Sequence, residues 1–230
     1  MQRLQVSTIV IPLLSLLLAQ AHLEAQGLTS TECDLPPDVT PGPPRVVERL
    51  QLVGGPGTTV ASVQSLCGDM TRWLAVVHLP SRDLGMDYGW RVALLADSGA
   101  QAVVRFVTHG LVDSHLPNTR LFQADTSRLL LVSMGDEGGS WGMAAYDVGS
   151  DMVFGLGILD VGLPMAGDDE NNRDALAIAE PEHTDKGWRV GFRIPIVESP
   201  NQHDQRLLSP LNGNRVWFVP HGMHWAVEPR

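Results

Sequence analysis

Four groups of residues in this chain have the types and spacing that chemistry uses. Gly138-Gly-Ser140-Trp-Gly142 fits the G-x-S-x-G nucleophile elbow, in which a serine on a sharp strand-to-helix turn exposes its hydroxyl beside backbone N–H groups that stabilise an oxyanion. Asp168-Asp-Glu-Asn-Asn-Arg-Asp174 carries side-chain oxygens at 168, 170, 172 and 174, which would converge on a calcium ion if the loop curled. His221-Gly-Met-His224 sets two imidazoles three residues apart, and His109 and His115 flank Asp113, in the manner of a transition-metal site. Cys33 and Cys67, the two cysteines of the chain, could close a disulfide.

Context weighs against the first three. A working elbow needs a helix directly after the serine, yet Met143-Ala-Ala-Tyr-Asp-Val148 stops at Gly149 after barely two turns and ends in strand-like residues. Gly135-Asp-Glu137 also separates the apolar run Arg128 to Met134 from the elbow, so two strands joined by a glycine-rich turn is the preferred reading. The Gly-Gly-Ser-Trp-Gly pentapeptide resembles the elbow of some α/β-hydrolase aminopeptidases, and that resemblance, five residues long, implies a serine hydrolase with Ser140 as nucleophile. Asp160 with His183, His203, His221 or His224 would complete it, but no His-Gly-Gly-Gly run follows His109-Gly110 to build an oxyanion hole. The acidic run lacks the interior glycine and closing glutamate of an EF-hand. Pro220 and Gly222 favour a turn around His221, and no third ligand is placed. No catalytic residue, metal ligand or cofactor is assigned.

The ends of the chain say where these residues meet their chemistry. Arg3 is the lone charge ahead of an apolar run from Ile9 to Ala19, broken by Pro12 and Ser15, and Ala19-Gln-Ala21 offers small residues where a signal peptidase reads. Residues 1–21 therefore read as an export signal, leaving a mature chain that begins at His22. The run is shorter than the roughly 20 apolar residues of a membrane span, and no other segment approaches that length. An exported chain meets an oxidising compartment, so a Cys33–Cys67 disulfide is expected, tying a proline-rich arm to the body. The formal charge of −10, more negative once Arg3 is removed, repels phosphate backbones and argues against a nucleic-acid partner.

The elements that must position these groups read as strands. Val46 to Val53 and Thr58 to Ser65 are β-prone runs around Gly54-Gly-Pro-Gly57, which predicts a hairpin. Arg72 to Leu79, Arg128 to Met134, Arg173 to Ile178 and Arg215 to Val219 each precede a strand opened by a tryptophan: Trp90, Trp141, Trp188 and Trp225. Those tryptophans recur roughly every 40 to 50 residues, a period shared with propeller blades. Third strands follow at Ala102 to Thr108 and Met152 to Leu159, and the run from Val46 to Ser65 could complete the last unit, covering the edges a meander leaves open.

The sequence thus predicts an all-β fold in a single domain, a repeated β-meander or small propeller-like arrangement, with a β-sandwich or barrel as the alternative. Residues 1–21 are the signal peptide, 22–45 a proline-rich extended arm and 46–230 the all-β domain. The function expected is an exported binding or scaffolding module, periplasmic or secreted, whose partner is an unidentified protein or small-molecule ligand. A secreted serine hydrolase using Ser140 is the alternative. The default binding surface is formed by the loops Pro80 to Tyr88 and Glu180 to Lys186.

Overall fold

Apolar runs in the middle of this chain are continuous rather than alternating, because their strands are buried on both faces. The computed structural model describes residues 28–33, 42–85, 87–111, 116–136, 139–149, 152–164, 174–200 and 203–228. Within it a four-stranded antiparallel meander is built from β3 (Thr59–Leu66), β4 (Asp69–His78), β5 (Trp90–Asp97) and β6 (Ala102–Val107). One face carries Trp73, Ala75, Val77, Ala93 and Leu95, and the other carries Leu74, Val76, Val92 and Leu94.

The first face packs on a helix, α1 (Pro44–Gly54), through the fully buried Val46 and Leu50. The expected hairpin over Val46 to Ser65 is therefore half helix. Pro44 at the first helical turn sets the backbone angle a helix needs, and Val46, Leu50 and Gly54 recur at helical spacing, which outweighs the β-propensity of the valines. Arg45 fastens the helix to β5, its Nε lying 2.7 and 2.8 Å from the two carboxylate oxygens of Asp97. That guanidinium holds the buried Asp97 carboxyl below its usual range.

The second face lies against the outside of a larger sheet. Its strands are β7 (Thr119–Ala124), β8 (Ser127–Asp136), β9 (Gly139–Val148), β10 (Val153–Leu159), β12 (Glu180–Thr184), β13 (Gly187–Phe192), β16 (Val216–His221) and β17 (His224–Val227), with β1 (Leu28–Thr29) and β2 (Thr31–Glu32) at its two ends. The ten strands run β1-β12-β13-β16-β17-β10-β9-β8-β7-β2. In β8, Leu130 and Val132 face the meander while Leu129 and Leu131 face the inside of the curl. Phe122, Met143, Leu159, Trp188, Phe192, Phe218 and Trp225 fill that inside, so the barrel holds a packed core. Where the two sheets meet, Phe106 and Tyr146 stack edge to face at 5.9 Å, and burial pushes the Tyr146 phenol up to about 12.

A third sheet, β11 (Val161–Gly162), β14 (Ile196–Glu198) and β15 (Arg206–Leu208), and a 3-10 turn at Ala175–Ile178 contribute Val161, Ile196, Leu208, Ala175 and Leu176 to the same core. The all-β class is thus what the chain adopts. The tryptophan-opened strands form as expected, but only the first unit stands apart; the others merge into one curled sheet, the barrel alternative. Arg173 to Ile178 is not a strand where described: the 3-10 turn takes its place, Asp174 capping it by accepting the Leu176 N–H, and the strand paired with Trp188 is β12. Residues 1–21, most of the arm, Asp113, His115 and residues 168–173 lie outside the described residues. No helix among the described residues is long and apolar enough to cross a membrane.

Closure comes from an unexpected segment. Val46 to Ser65 does not complete the last unit; β3 pairs with β4 instead. The two strands at opposite ends of the sheet, β1 and β2, are neighbours in sequence separated by Ser30 alone, so one short segment pairs with β12 on one side and β7 on the other. Three of its residues, Ser30, Glu32 and Cys33, anchor it. Ser30 Oγ donates to the Pro181 carbonyl. Arg120 on β7 grips Glu32 at 2.7 and 2.8 Å and donates from Nη1 to the carbonyls of Leu176 at 2.6 Å and Ala179 at 3.0 Å, crossing from one lip of the seam to the other. Cys33, whose N–H bonds the Leu121 carbonyl, is disulfide-bonded to Cys67 in the β3–β4 turn, with a Cα–Cα distance of 5.1 Å.

Two outcomes test the seam. Reducing the disulfide, or replacing both cysteines by serine, should lower the unfolding free energy in urea titrations by about 3 to 4 kcal/mol. Arg120→Met should cost about 1.5 to 3 kcal/mol at neutral pH. Arg120 holds the Glu32 carboxyl below its ordinary 4.5, so the stability from this pair is complete above that pH and is lost as pH falls through the depressed value. The gap between wild type and Arg120→Met should therefore narrow in urea titrations run below pH 4.5.

Candidate functional site

Alternation along three adjacent strands gathers one set of charged and aromatic side chains on the outer wall of the barrel. On β13, Trp188, Val190 and Phe192 point inward, which leaves Arg189 and Gly191 outside; on β16, Val216 and Phe218 point inward, which leaves Trp217 outside. Register aligns Glu180, Gly191 and Trp217 in one row and Glu182 with Arg189 in the next. Gly191 has no side chain, and the Trp217 ring lies in the space one would fill: a Cβ there would come 2.7 Å from Trp217 Cζ3 and 2.9 Å from Arg215 Cδ.

Charges frame this ring. The Arg189 guanidinium lies 4.0 Å and that of Arg215 5.3 Å from the ring centroid, both within cation–π range. Arg189 is held by Glu182 at 2.7 Å and Glu228 at 3.2 Å. Arg215 and Arg193 converge on one carboxylate oxygen, Glu180 Oε2, their Nε atoms at 2.6 and 3.0 Å. That oxygen is buried and receives no aligned hydrogen bond, so both contacts are ionic rather than directional. An open groove of about 560 Å³ runs along the site, bordered by Arg193, Leu211, Asn214, Arg215, Trp217 and Glu228, and a hollow of about 310 Å³ that Glu180 lines adjoins it across Arg193.

The residues singled out by sequence lie elsewhere. Ser140 falls inside β9, opposite Gly135, and Met143 to Val148 continues the strand, so the strand-to-helix turn of an elbow is not formed there. Gly142 has a packing reason to be glycine: its φ is +136°, and a Cβ would sit 2.4 Å from the Leu159 carbonyl oxygen. His221 and His224 face each other across the β16–β17 turn, both exposed, and no group of three metal-binding side chains occurs among the described residues. The Asp174 carboxylate also accepts from Asn118 at 3.3 Å. His183 stands at the barrel core, edge to face with Trp188 at 5.0 Å. Near it Asp147 continues the inward row of Met143 and Ala145; burial raises its carboxyl, while His183 and the Trp188 indole N–H, short of full hydrogen-bond geometry, pull it back.

Of the two loops expected to bind, Glu180 to Lys186 is β12 with its turn. The other, Pro80 to Tyr88, is anchored by a buried arginine. Arg91, 2% exposed, donates to the carbonyls of Arg82, Asp87 and Thr108 and to the carboxylates of Asp83 at 2.9 Å and Asp87 at 3.0 Å. Asp87 accepts the Gly110 N–H at 2.6 Å, which together with Arg91 keeps its carboxyl below the usual range. His78 approaches Asp83 at 3.1 Å and His109 approaches Asp87 at 3.5 Å. The cluster fixes a loop.

Sequence reading missed Glu180, Arg189, Arg193, Arg215 and Trp217 as a group. Period-2 alternation places Arg189, Gly191 and Arg193, and Arg215 and Trp217, on one face each, but the pairing of β13 with β16 that joins them is a long-range register. Comparison with known proteins finds no matching family model, no matching curated protein and no matching solved structure.

Arg91→Met would leave Asp83 and Asp87 without the guanidinium that joins them and would remove its N–H donors from the carbonyls of Arg82 and Thr108. It should cost about 3 kcal/mol in urea titrations, and amide exchange in Pro80 to Tyr88 should accelerate ahead of global unfolding.

Proposed function

We propose that this chain is an exported binding module whose ligand occupies the outer-wall groove beside Trp217. One observation carries the reading: at the edge of an open groove Arg193 and Arg215 meet a single buried carboxylate oxygen that neither engages through an aligned hydrogen bond. The core supports it from the other side, since its large apolar side chains occupy the place where many barrels carry their ligands. The Cys33–Cys67 disulfide suits the oxidising compartment to which residues 1–21 would direct the chain, periplasmic or secreted.

A thermal-shift screen of small carboxylates, inorganic phosphate, sulfate and neutral sugars tests this. A ligand at 100 times its Kd adds about 2.7 kcal/mol to stability, so a hit is an upward shift that disappears in Arg193→Ala/Arg215→Ala. A shift of the same size in the double variant would place binding elsewhere. Fluorophosphonate labelling that is lost in Ser140→Ala would replace the binding reading by the serine hydrolase.

A further inference from the structure

The groove is specific enough in its chemistry to name a class of ligand. We propose that it takes a monocarboxylate carried on an apolar body, and that Glu180 is the internal stand-in for that carboxylate. The inference rests on the binding reading and goes further by fixing the charge, number and setting of the group that is bound.

The charge follows from the two arginines. Their Nε atoms share Glu180 Oε2, at 2.6 Å from Arg215 and 3.0 Å from Arg193. A guanidinium presents a planar fork suited to two parallel hydrogen bonds with a carboxylate. Glu180, reaching from its own strand, satisfies neither fork in that way and leaves its buried oxygen without an aligned donor. An incoming carboxylate, free of the constraint of the β12 backbone, can adopt the geometry that Glu180 cannot. Arg193 is the arm able to move to it, with its side chain 65% exposed against 24% for Arg215, which is braced by Trp217.

The number of charges follows from the acids around them. Glu180 and Glu228 both border the site, so a second negative charge on the ligand would meet carboxylates rather than cations. Phosphate and other dianions fit less well than a single carboxylate. The apolar body follows from the remaining lining: Leu211, 55% exposed, with the half-buried Val227 along the groove, and Ile194, 46% exposed, with the half-buried Ile178 in the adjoining hollow. A carboxylate at the arginines places an attached alkyl or leucyl group against these side chains. A peptide C-terminus and a fatty acid share this chemistry.

Isothermal titration with N-acetyl-leucine, octanoate, N-acetyl-leucinamide and inorganic phosphate decides the matter. N-acetyl-leucine or octanoate should bind at least tenfold more tightly than the neutral amide and than phosphate. The preferred acid identifies the source. Arg193→Gln, at an exposed position that should not disturb folding, should weaken the preferred acid about tenfold. Glu180→Gln, with its fold checked by circular dichroism, should tighten it severalfold by removing the internal competitor. Equal binding of acid and amide, indifferent to Arg193→Gln, would overturn the carboxylate inference and leave the groove as a binding site. Phosphate binding as tightly as the acids would overturn the monocarboxylate assignment alone. No heat and no change in groove amide exchange with any of the four probes would overturn the binding reading together with this one.

Discussion

A curled sheet must either close or present two rows of unpaired N–H and C=O groups, and the whole arrangement here depends on how that is resolved. Leu28 to Cys33 resolves it. Pairing of β1 with β12 and of β2 with β7 uses few backbone bonds, too few to hold a short strand against its conformational entropy. The long-range attachments make up the difference: Arg120 spans the seam to Glu32 and to the 3-10 turn before β12, and Cys33 is covalently joined to the β3–β4 turn of the other sheet. The same disulfide therefore links the closing strand to the meander that covers the barrel's outer wall.

Closure has a consequence for the groove. Arg120 donates to the carbonyls of Leu176 and Ala179, immediately before Glu180, and Glu180 is the carboxylate on which Arg193 and Arg215 converge. The start of β12 is thus fixed from the inside by one arginine and engaged on the outside by two. Cores on both sides of the meander and inside the barrel are dense and apolar, and the polar clusters at Arg91 and Asp97 secure a loop and a helix. The outer wall at Trp217 differs from these because its ion pairs border open volume.

Much of the secondary structure was legible in the chain. Leu129 to Val132 and Trp73 to Val77 read as strands because they are short, apolar and β-branched or aromatic, and their lack of alternation is explained by burial on both faces. Val46 to Val53 misled because valine favours strands in isolation, whereas its helical spacing becomes decisive only with a sheet face to pack on. The preference for two strands over an elbow around Ser140 holds, since glycines serve close backbone approach as readily as catalysis; Gly142 lies against the Leu159 carbonyl of a neighbouring strand.

What the sequence determined by itself is the class of fold, most of the strands and the cysteine pairing, because these follow from local propensity, from the side-chain period of a strand and from there being only two cysteines to join. What only the tertiary structure decided is which strands become neighbours. Closure by Leu28 to Cys33 and the meeting of Arg193 and Arg215 at Glu180 both depend on pairings between segments distant in the chain. Strand register is set by how cores pack and sheets curl, and a one-residue slip would turn every outward arginine inward.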